Sequence, residues 1–310
     1  MTTTAVASPY RMFDVRVRRL ERLGHSLLRV TFAGVDLDRF ADPGLDTRIK
    51  VILPLPDSRF VHLDRSSDWY ATWRTLEESQ RNPIRTYTTR LVRPEVGEVD
   101  IDFVLHGDGG PASAWATQAS VGDEVVLLGP NADHPGPYHG LEFAPHAGAT
   151  SFLVAGDETA LPAVARILED LTLTDPGSVG DAVLEVPSAG DVLDLVAPDG
   201  VRVTWVVRES APHGERLVAA VQAAAAALLA TTPSPSLADA SEPADVDVDA
   251  EILWEVPVSD GDAAGAGLYA WLAGEAGAIK TLRRHLVRVL GVDKSQVAFM
   301  GYWRIGRAEG

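Results

Sequence analysis

His106-Gly107-Asp108-Gly109-Gly110-Pro111-Ala112-Ser113-Ala114-Trp115-Ala116 is the stretch on which the fold turns. It follows the alternating apolar run Val99, Ile101, Phe103, Leu105, which reads as a strand, and it leads into a short helical pattern. Its glycines let a backbone approach a ligand closely, because no Cβ stands in the way. Pro111 suits the first turn of a helix, and Ser113 offers a hydroxyl there. Backbone N–H groups and the helix dipole at such a point favour a phosphate. A Gly-rich turn that only joins a strand to a helix is the plainer reading of the same residues, so the motif needs partners elsewhere.

Working outward, the two halves of the chain have different periods. Strand patterns occur at Asp14 to Leu20, His25 to Phe32, Ile49 to Leu53, Arg85 to Arg90, Val99 to Leu105 and Glu124 to Leu128. Gly, Pro and Asp turns separate them, which predicts a six-stranded antiparallel barrel. Pro56 to Asn82 interrupts the spacing as a long excursion with helix around Trp69 to Gln80. The second half alternates instead: strand at Ser151 to Ala155, helix at Leu161 to Leu171, strands at Ala182 to Val186 and Val201 to Val207, helix at Gly214 to Ala230. A last unit runs from strand Leu268 to Leu272 through helix Glu275 to Leu290 to strand Gln296 to Met300. That order predicts a parallel sheet wrapped by helices. The period changes in the Gly-, Pro- and His-rich segment Asn131 to Thr150, giving a β-barrel domain over 8–140 and an α/β domain over 148–310. Thr231 to Ala250, small, acidic and Pro-containing, reads as a solvated loop within the second domain.

Composition removes several function classes. The 310 residues include no cysteine, which excludes disulfides, Fe–S clusters and thiolate zinc sites. Eight histidines without HxxxH or paired-carboxylate spacing argue against a resident metal. A net charge of −17 argues against nucleic acid as a general partner. No apolar run approaches the roughly 18 residues of a membrane span, and the N-terminus has no signal-peptide h-region, so a cytoplasmic protein without membrane insertion is expected. Redox chemistry here requires an organic cofactor or a visiting metal complex.

Arg85-Thr86-Tyr87-Thr88-Thr89-Arg90 is the second constellation. In a strand, Arg85 and Tyr87 share one face and Thr86 and Thr88 the other. An aromatic ring beside an arginine can seat a flat heterocycle while the guanidinium grips a phosphate. A Thr-rich edge strand accounts for the same residues.

Together, Arg-x-Tyr-Thr and His-x-Gly-x-Gly-Pro-Ala-Ser-x-Trp-Ala resemble the siderophore-interacting protein family, FAD-binding ferric-siderophore reductases of the ferredoxin-reductase superfamily. The resemblance continues through Gly156-Asp157-Glu158-Thr159-Ala160-Leu161-Pro162 and Trp271-Leu272-Ala273-Gly274-Glu275 to Gly301-Tyr302-Trp303-Arg304-Ile305-Gly306, so it spans nearly the whole chain in order. It implies an N-terminal FAD-binding barrel and a C-terminal NAD(P)H-binding-like domain. It implies that Arg85, Tyr87 and Thr88 hold the flavin and its phosphates, and that Gly109, Gly110, Ala112 and Ser113 cradle the pyrophosphate. His106 is a candidate to close over the flavin or ribityl chain, or else it caps a strand end.

In the second domain Gly156 to Thr159 lies between a strand and a helix, where open parallel sheets bind ligands. A G-x-G-x-x-G pattern is missing there, and Asp157 and Glu158 are equally readable as helix caps. The wider superfamily resemblance implies that Thr159 approaches the flavin face where nicotinamide stacks. Arg208 is a candidate for the adenosine phosphate of NADPH or a strand-end arginine in water. Glu275 is a helix acid or a residue near the hydride path.

Ferric siderophores are often anionic, so a cationic mouth is expected. Lys50 is a candidate substrate contact by the resemblance and a solvated strand lysine otherwise. Arg283 shares with Lys280, Arg284 and Arg288 a helix face opposite Ile279, Leu282, Leu286 and Val289, the pattern of an amphipathic surface helix whose positive side can also attract substrate or balance the acidic loop. Tyr302-Trp303-Arg304 packs over the flavin or against the barrel. The function implied is reduction of a ferric siderophore to release Fe(II), with FAD as cofactor and NAD(P)H or reduced ferredoxin as reductant. Two alternatives stay open: a general NAD(P)H:flavin or ferredoxin-type reductase, and a siderophore-binding flavoprotein with little turnover.

Overall fold

The computed structural model describes residues 7–105, 110–231, 254–257 and 267–307. The chain divides into two compact units, one holding the described residues up to Leu141 and the other Glu142–Arg307.

Unit 1 is one antiparallel sheet of seven strands: β1 (Tyr10–Arg22), β2 (Leu27–Ala33), β3 (Arg48–Ile52), β4 (Ile84–Thr88), β5 (Leu91–Arg93), β6 (Glu98–Val104) and β7 (Glu124–Pro130). Their order is β4-β3-β7-β1-β2-β6-β5. The sequence pattern gave six strands. The added one, β5, is three residues long and too short for a period to register, although it pairs Leu91 with Asp100 and Arg93 with Glu98. Alternation explains the sheet's inner face: Phe13, Val15, Val30, Phe32, Ile49, Val51, Ile101, Phe103 and Leu127 form one buried cluster. Each fully buried ring or branched chain in it contributes about 1.5–3 kcal/mol of transfer free energy. Five strand spacings separate β4 from β6, about 24 Å in a flat sheet. Yet the Tyr87 and Phe103 rings lie 4.4 Å apart between centroids, so the sheet is curled. On the opposite face the acids of Asp100-Ile101-Asp102 are buried and paired, Asp100 with Arg93 at 2.7 Å and Asp102 with Arg29 at 2.7 Å. Burial pushes the Asp100 carboxyl up, but Arg93, Thr31 and Arg29 together hold it below the usual range.

Two helices complete unit 1. The excursion between β3 and β4 carries α1 (Trp69–Thr75), which stops earlier than the expected Gln80 and gives way to a 3-10 turn at Glu78–Gln80. After β6 comes α2 (Pro111–Gln118).

Unit 2 contains β8 (Ala149–Gly156), α3 (Leu161–Thr174), β9 (Val179–Val186), β10 (Gly200–Val207), α4 (Glu215–Thr231), β11 (Trp254–Glu255), β12 (Gly267–Glu275), α5 (Ala276–Arg284) and β13 (Val297–Trp303). The sheet order is β10-β9-β8-β12-β13-β11. The parallel sheet expected from the pattern is mixed: five strands run parallel, and the two-residue β11 pairs antiparallel with β13. A dipeptide strand carries no periodicity, which is why the sequence hides it. The helix expected over Glu275 to Leu290 is α5 followed by a π-helical turn at His285–Val289. The β8-α3-β9 and β12-α5-β13 crossovers run in opposite directions along the sheet. Right-handed connections therefore put α3 and α5 on opposite faces. Leu217, Val221, Ile279, Leu282 and Leu286 accordingly pack with Leu153, Ala155, Leu268 and Leu272 in one cluster that α3 does not join. The direction changes between β8 and β12, so the carboxyl edge there is the unit's natural crevice.

Candidate functional site

In unit 1 the two motifs singled out by sequence meet. Along β4, Arg85 pairs with Val51 and Tyr87 with Ile49, both core residues, whereas Thr86 pairs with Lys50 and Thr88 with Arg48. Arg85 and Tyr87 therefore share the inner face, as the alternation requires. Tyr87 stays half-buried, and its ring begins a row: Phe103 at 4.4 Å, Trp115 of α2 at 5.5 Å from Phe103, and Phe32 stacked on Trp115 at 6.1 Å. These contacts carry the side of the Arg-x-Tyr-Thr strand to the start of the Pro-Ala-Ser-x-Trp helix. Thr88 and Thr89 are buried, and the Thr89 hydroxyl has no hydrogen-bond partner among the described residues.

At the start of α2, Pro111 occupies the first turn, and among the described residues no side chain caps the helix. Gly110 is extended, and a Cβ placed on it would meet no described atom within 4 Å. Ala112 and Ser113 are buried beside it. The glycine and proline thus give a helix N-terminus that a ligand's phosphate can approach closely. His106 and Gly109, also candidates, lie outside the described residues.

The carboxyl edge of unit 2 is built differently. Asp157, directly after β8, is 2% exposed and takes four donors. Its Oδ1 accepts from the Thr159 N–H at 2.9 Å and the Thr159 hydroxyl at 2.5 Å. Its Oδ2 accepts from the Glu275 N–H and from Trp303 Nε1, each at 2.8 Å. One side chain thus joins the ends of β8, β12 and β13. Gly274 makes this possible: its φ is +147°, and a Cβ there would lie 2.7 Å from Asp157 Oδ2. Burial first, and the neighbouring Glu158 second, push the Asp157 carboxyl up to about 6 against the pull of its donors.

Behind it lies a buried ionic group. Arg208 donates to both oxygens of Glu158, at 2.9 and 2.8 Å, and to Glu185 at 3.0 Å. Glu185 in turn accepts from the N–H groups of Gly214 and Leu217, each at 3.0 Å, and so caps α4. Glu275 caps α5 by accepting from the Ala278 N–H at 2.9 Å. At α3 the Thr159 N–H goes to the Asp157 side chain, those of Ala160 and Leu161 go to the Asp157 carbonyl, and Pro162 has none. Three helix starts on one sheet edge are therefore engaged by the chain's own acceptors.

The remaining candidates fall as follows. Arg208 is neither in water nor directed to solvent, because two glutamates hold it at 6% exposure. Arg283 is turned inward as well: it is 8% exposed and clasps Glu255 of β11 at 2.7 Å, away from the positive face on which it was expected. The physical reason is the antiparallel β11, which brings an acid to that side of α5. Lys50 lies on the outer face of β3 and donates to the Thr86 hydroxyl at 2.6 Å. Tyr302 stacks on Trp254 at 5.9 Å, and Trp303 meets His213 edge-on at 4.9 Å, so the C-terminal aromatics pack within unit 2. Burial lowers the affinity of His213 for a proton. Two residues escaped sequence reasoning. Glu185 interrupts the apolar run Ala182 to Val186, and a lone acid there signals a buried partner. Trp303 as an Asp157 donor leaves no local signal.

Comparison with known proteins agrees with this division of the chain. Residues 16–134 match the model of the siderophore-interacting FAD-binding domain, and residues 149–306 that of the siderophore-interacting protein. An uncharacterized protein of Mycobacterium tuberculosis is 36% identical over 203 residues, 64% of this chain; the chain spans 66% of that relative's length. The ferric vibriobactin reductase of Vibrio cholerae is 29% identical, covering 94% of this chain and 89% of its own. An NADPH-dependent ferric-chelate reductase of Escherichia coli is 31% identical over 68% of this chain and 78% of its own. Among solved structures, a siderophore-interacting protein of Aeromonas hydrophila superposes with a TM-score of 0.67 at 29% identity, covering 97% of this chain and 95% of that one. A ferredoxin reductase of a carbazole dioxygenase, 16% identical with a TM-score of 0.59, covers 96% of this chain and 71% of its own, and shares the fold alone.

FAD demands a flat apolar seat, a turn that accepts phosphate and hydrogen-bonding groups between them. Unit 1 fits on each count: the half-buried Tyr87 ring with its aromatic row and, among the described residues, an α2 start with no side-chain cap, no atom within 4 Å of a Cβ placed on Gly110, and a buried Thr89 hydroxyl without a partner.

Proposed function

The chain belongs to the siderophore-interacting protein family, and from that premise we propose that it is a flavin-dependent ferric-chelate reductase that binds FAD on unit 1 and frees iron as Fe(II). The observation that carries this reading is the aromatic row of Tyr87, Phe103 and Trp115, which joins the Arg-x-Tyr-Thr strand to the Gly-Pro helix start of α2. FAD, when bound, supplies the conversion between a two-electron donor and a one-electron acceptor. The chain's part is to hold, orient and shield. The Tyr87 ring seats the flat heterocycle from the inner face of β4, and Arg85 offers its guanidinium toward phosphate. The amides at the start of α2, at Ala112 and Ser113, take the pyrophosphate, aided by the dipole. Gly110 keeps that space free of a side chain. Thr88 and Thr89 bring hydroxyls within a buried strand end. Lys50 supplies a positive charge on a chain of net charge −17, where an anionic chelate needs one. Iron leaves because its ferrous complex is the weaker one, and no side chain of this protein is required as a ligand.

NADPH or NADH is the reductant by likeness to the Escherichia coli relative, with Thr159, at the exit of β8, the group that meets the nicotinamide. A second reading of the donor is favoured by a specific observation: the starts of α4 and α5 are capped by Glu185 and Glu275. A dinucleotide gains little from those helix ends, whereas a reduced ferredoxin needs none of them. The protein acts in the cytoplasm on this reading, where both donors are found; no helix among the described residues is long and apolar enough to cross a membrane.

The test is anaerobic titration of the FAD-loaded protein with NADH, NADPH and reduced ferredoxin, followed by a ferric siderophore. The expected course is loss of the yellow flavin absorbance with at least one donor and its return on adding the chelate, with Fe(II) trapped by ferrozine. A purified protein that stays colourless in added FAD overturns the proposal.

A further inference from the structure

One element of unit 1 is left without a task by everything above. Helix α1 places three aromatic residues within five positions, Trp69, Tyr70 and Trp73, and it buries none of its residues. Tyr70 is 54% exposed. The Tyr70 ring lies parallel to that of Trp73, 5.7 Å away with 10° between planes, and Trp69 meets Tyr70 edge-on at 5.4 Å. The Arg81 guanidinium stands 5.7 Å over the Trp73 ring. The group is thus a shelf of π-faces with a cation at its side, open to solvent.

The shelf is rigidly mounted. Trp73 Nε1 donates to the carbonyl of Asn82 at 2.9 Å. Asn82, fully buried, donates to the carbonyls of Leu53 and Arg59 at 2.8 and 2.7 Å. Arg81 is fixed by the carbonyls of Leu76 and Arg74, and Thr72 by Asp64 at 3.0 Å. Leu53 and Pro83 close the base through the Leu53 N–H at 2.9 Å. This anchor is the open end of the β3–β4 pair, the same pair that carries Lys50 and Arg85. Thr86, the partner of Lys50, lies four positions beyond Asn82, about 13 Å along a strand. Exposed aromatics fixed in place mark a contact surface more often than a defect. The charge here runs against the rest of the chain: residues 48–90 hold eight Arg and Lys against five Asp and Glu, in a chain of net charge −17.

We infer that the α1 shelf is a second contact site, which takes the aryl rings of an anionic ferric chelate built from catechol or hydroxyphenyl groups. This rests on the reading of the chain as a ferric-chelate reductase. Chelates of this class present flat, electron-rich rings around the metal and carry net negative charge. Tyr70 and Trp73 offer parallel faces for stacking, and Arg81 and Lys50 offer charge. A hydroxamate chelate has the iron but no ring to stack. The shelf therefore selects among chelates by their rim, while Lys50 responds to their charge.

The FAD-loaded full-length protein decides this with two chelates, the ferric complex of 2,3-dihydroxybenzoate and ferrioxamine B, a hydroxamate without an aromatic ring. For Tyr70→Ala the KM for the aryl complex is expected to rise about two- to ten-fold, the range a single ring stack supports, with kcat held and the hydroxamate KM unmoved. Tyr70→Phe, which keeps the ring, is expected to restore the wild-type KM. Calorimetric titration with the redox-inert gallium complex of 2,3-dihydroxybenzoate gives the same ranking with no electron transfer. Equal effects on both chelates, or none on either, overturn the inference. So does a loss of FAD affinity in Tyr70→Ala, which would assign the shelf to the cofactor's adenine. A wild type that reduces neither chelate removes the ferric-reductase reading, and the gallium titration alone then decides the shelf.

Discussion

The start of α2 and the starts of α4 and α5 are the same piece of backbone chemistry, yet among the described residues a carboxylate caps only the latter two. At α2 the first turn has Pro111, with no described side chain capping it and no described atom within 4 Å of a Cβ placed on Gly110. In unit 2, Glu185 and Glu275 supply the negative charge from within, at about 1 kcal/mol for an ordinary cap of this kind. A helix start already holding a carboxylate has little left for a phosphate. On the reading of α2 as the pyrophosphate site, the difference teaches that unit 1 keeps a helix dipole for a ligand, whereas unit 2 uses two of its own to hold the carboxyl edge of the sheet together.

The most forceful way to break this comparison is to close the open end. Gly110→Val is compatible with the extended backbone there, and a Cβ at that position meets no described atom within 4 Å, so the fold is expected to survive. FAD affinity is expected to fall about 10- to 100-fold, read by absorbance titration of the purified protein. Unaltered FAD binding would remove the phosphate role of α2. Next in size, Arg208→Met leaves Glu158 and Glu185 buried without a counter-charge. A loss of about 3–5 kcal/mol is expected in denaturant unfolding followed by a probe of unit 2. A near-neutral result would mean that the carboxylates were not ionised.

The pH dependence of Asp157 sharpens the same contrast. Its folded pKa, about 6, lies above the ordinary 3.8, so the native state binds the proton more tightly. That stabilisation is complete below about pH 3.8 and is lost as the pH rises through about 6, with a slope of up to about 1.4 kcal/mol per pH unit. The stability advantage of wild type over Asp157→Asn is expected to narrow between pH 4 and pH 7, and an advantage that widens would reverse the assignment. Smallest is Glu275→Ala, which removes the α5 cap and is expected to cost about 1 kcal/mol of thermal stability, with FAD binding unchanged because the cap lies in the other unit.

Much of this was legible in the chain, for identifiable reasons. Period-two runs placed six strands of unit 1 because each buries one face, and the Gly-Pro-Ala-Ser-x-Trp stretch placed α2 because proline and the glycine before it punctuate the backbone. What failed was short or non-local. β5 and β11 span three and two residues, below any period. Arg208 and Arg283 read as surface cations because their partners, Glu158, Glu185 and Glu255, come from other strands and the preceding loop. The tie between Asp157 and Trp303 crosses 146 positions. Such pairs are fixed by topology, and a linear pattern does not carry topology.

The two residues of β11 have a consequence of their own. A sheet edge with free N–H and C=O groups recruits other strands. Trp254 and Glu255 pair with Met300 and Phe299, while one side chain stacks on Tyr302 and the other grips Arg283. The dipeptide works as a mooring: it seals the edge and ties it to a helix.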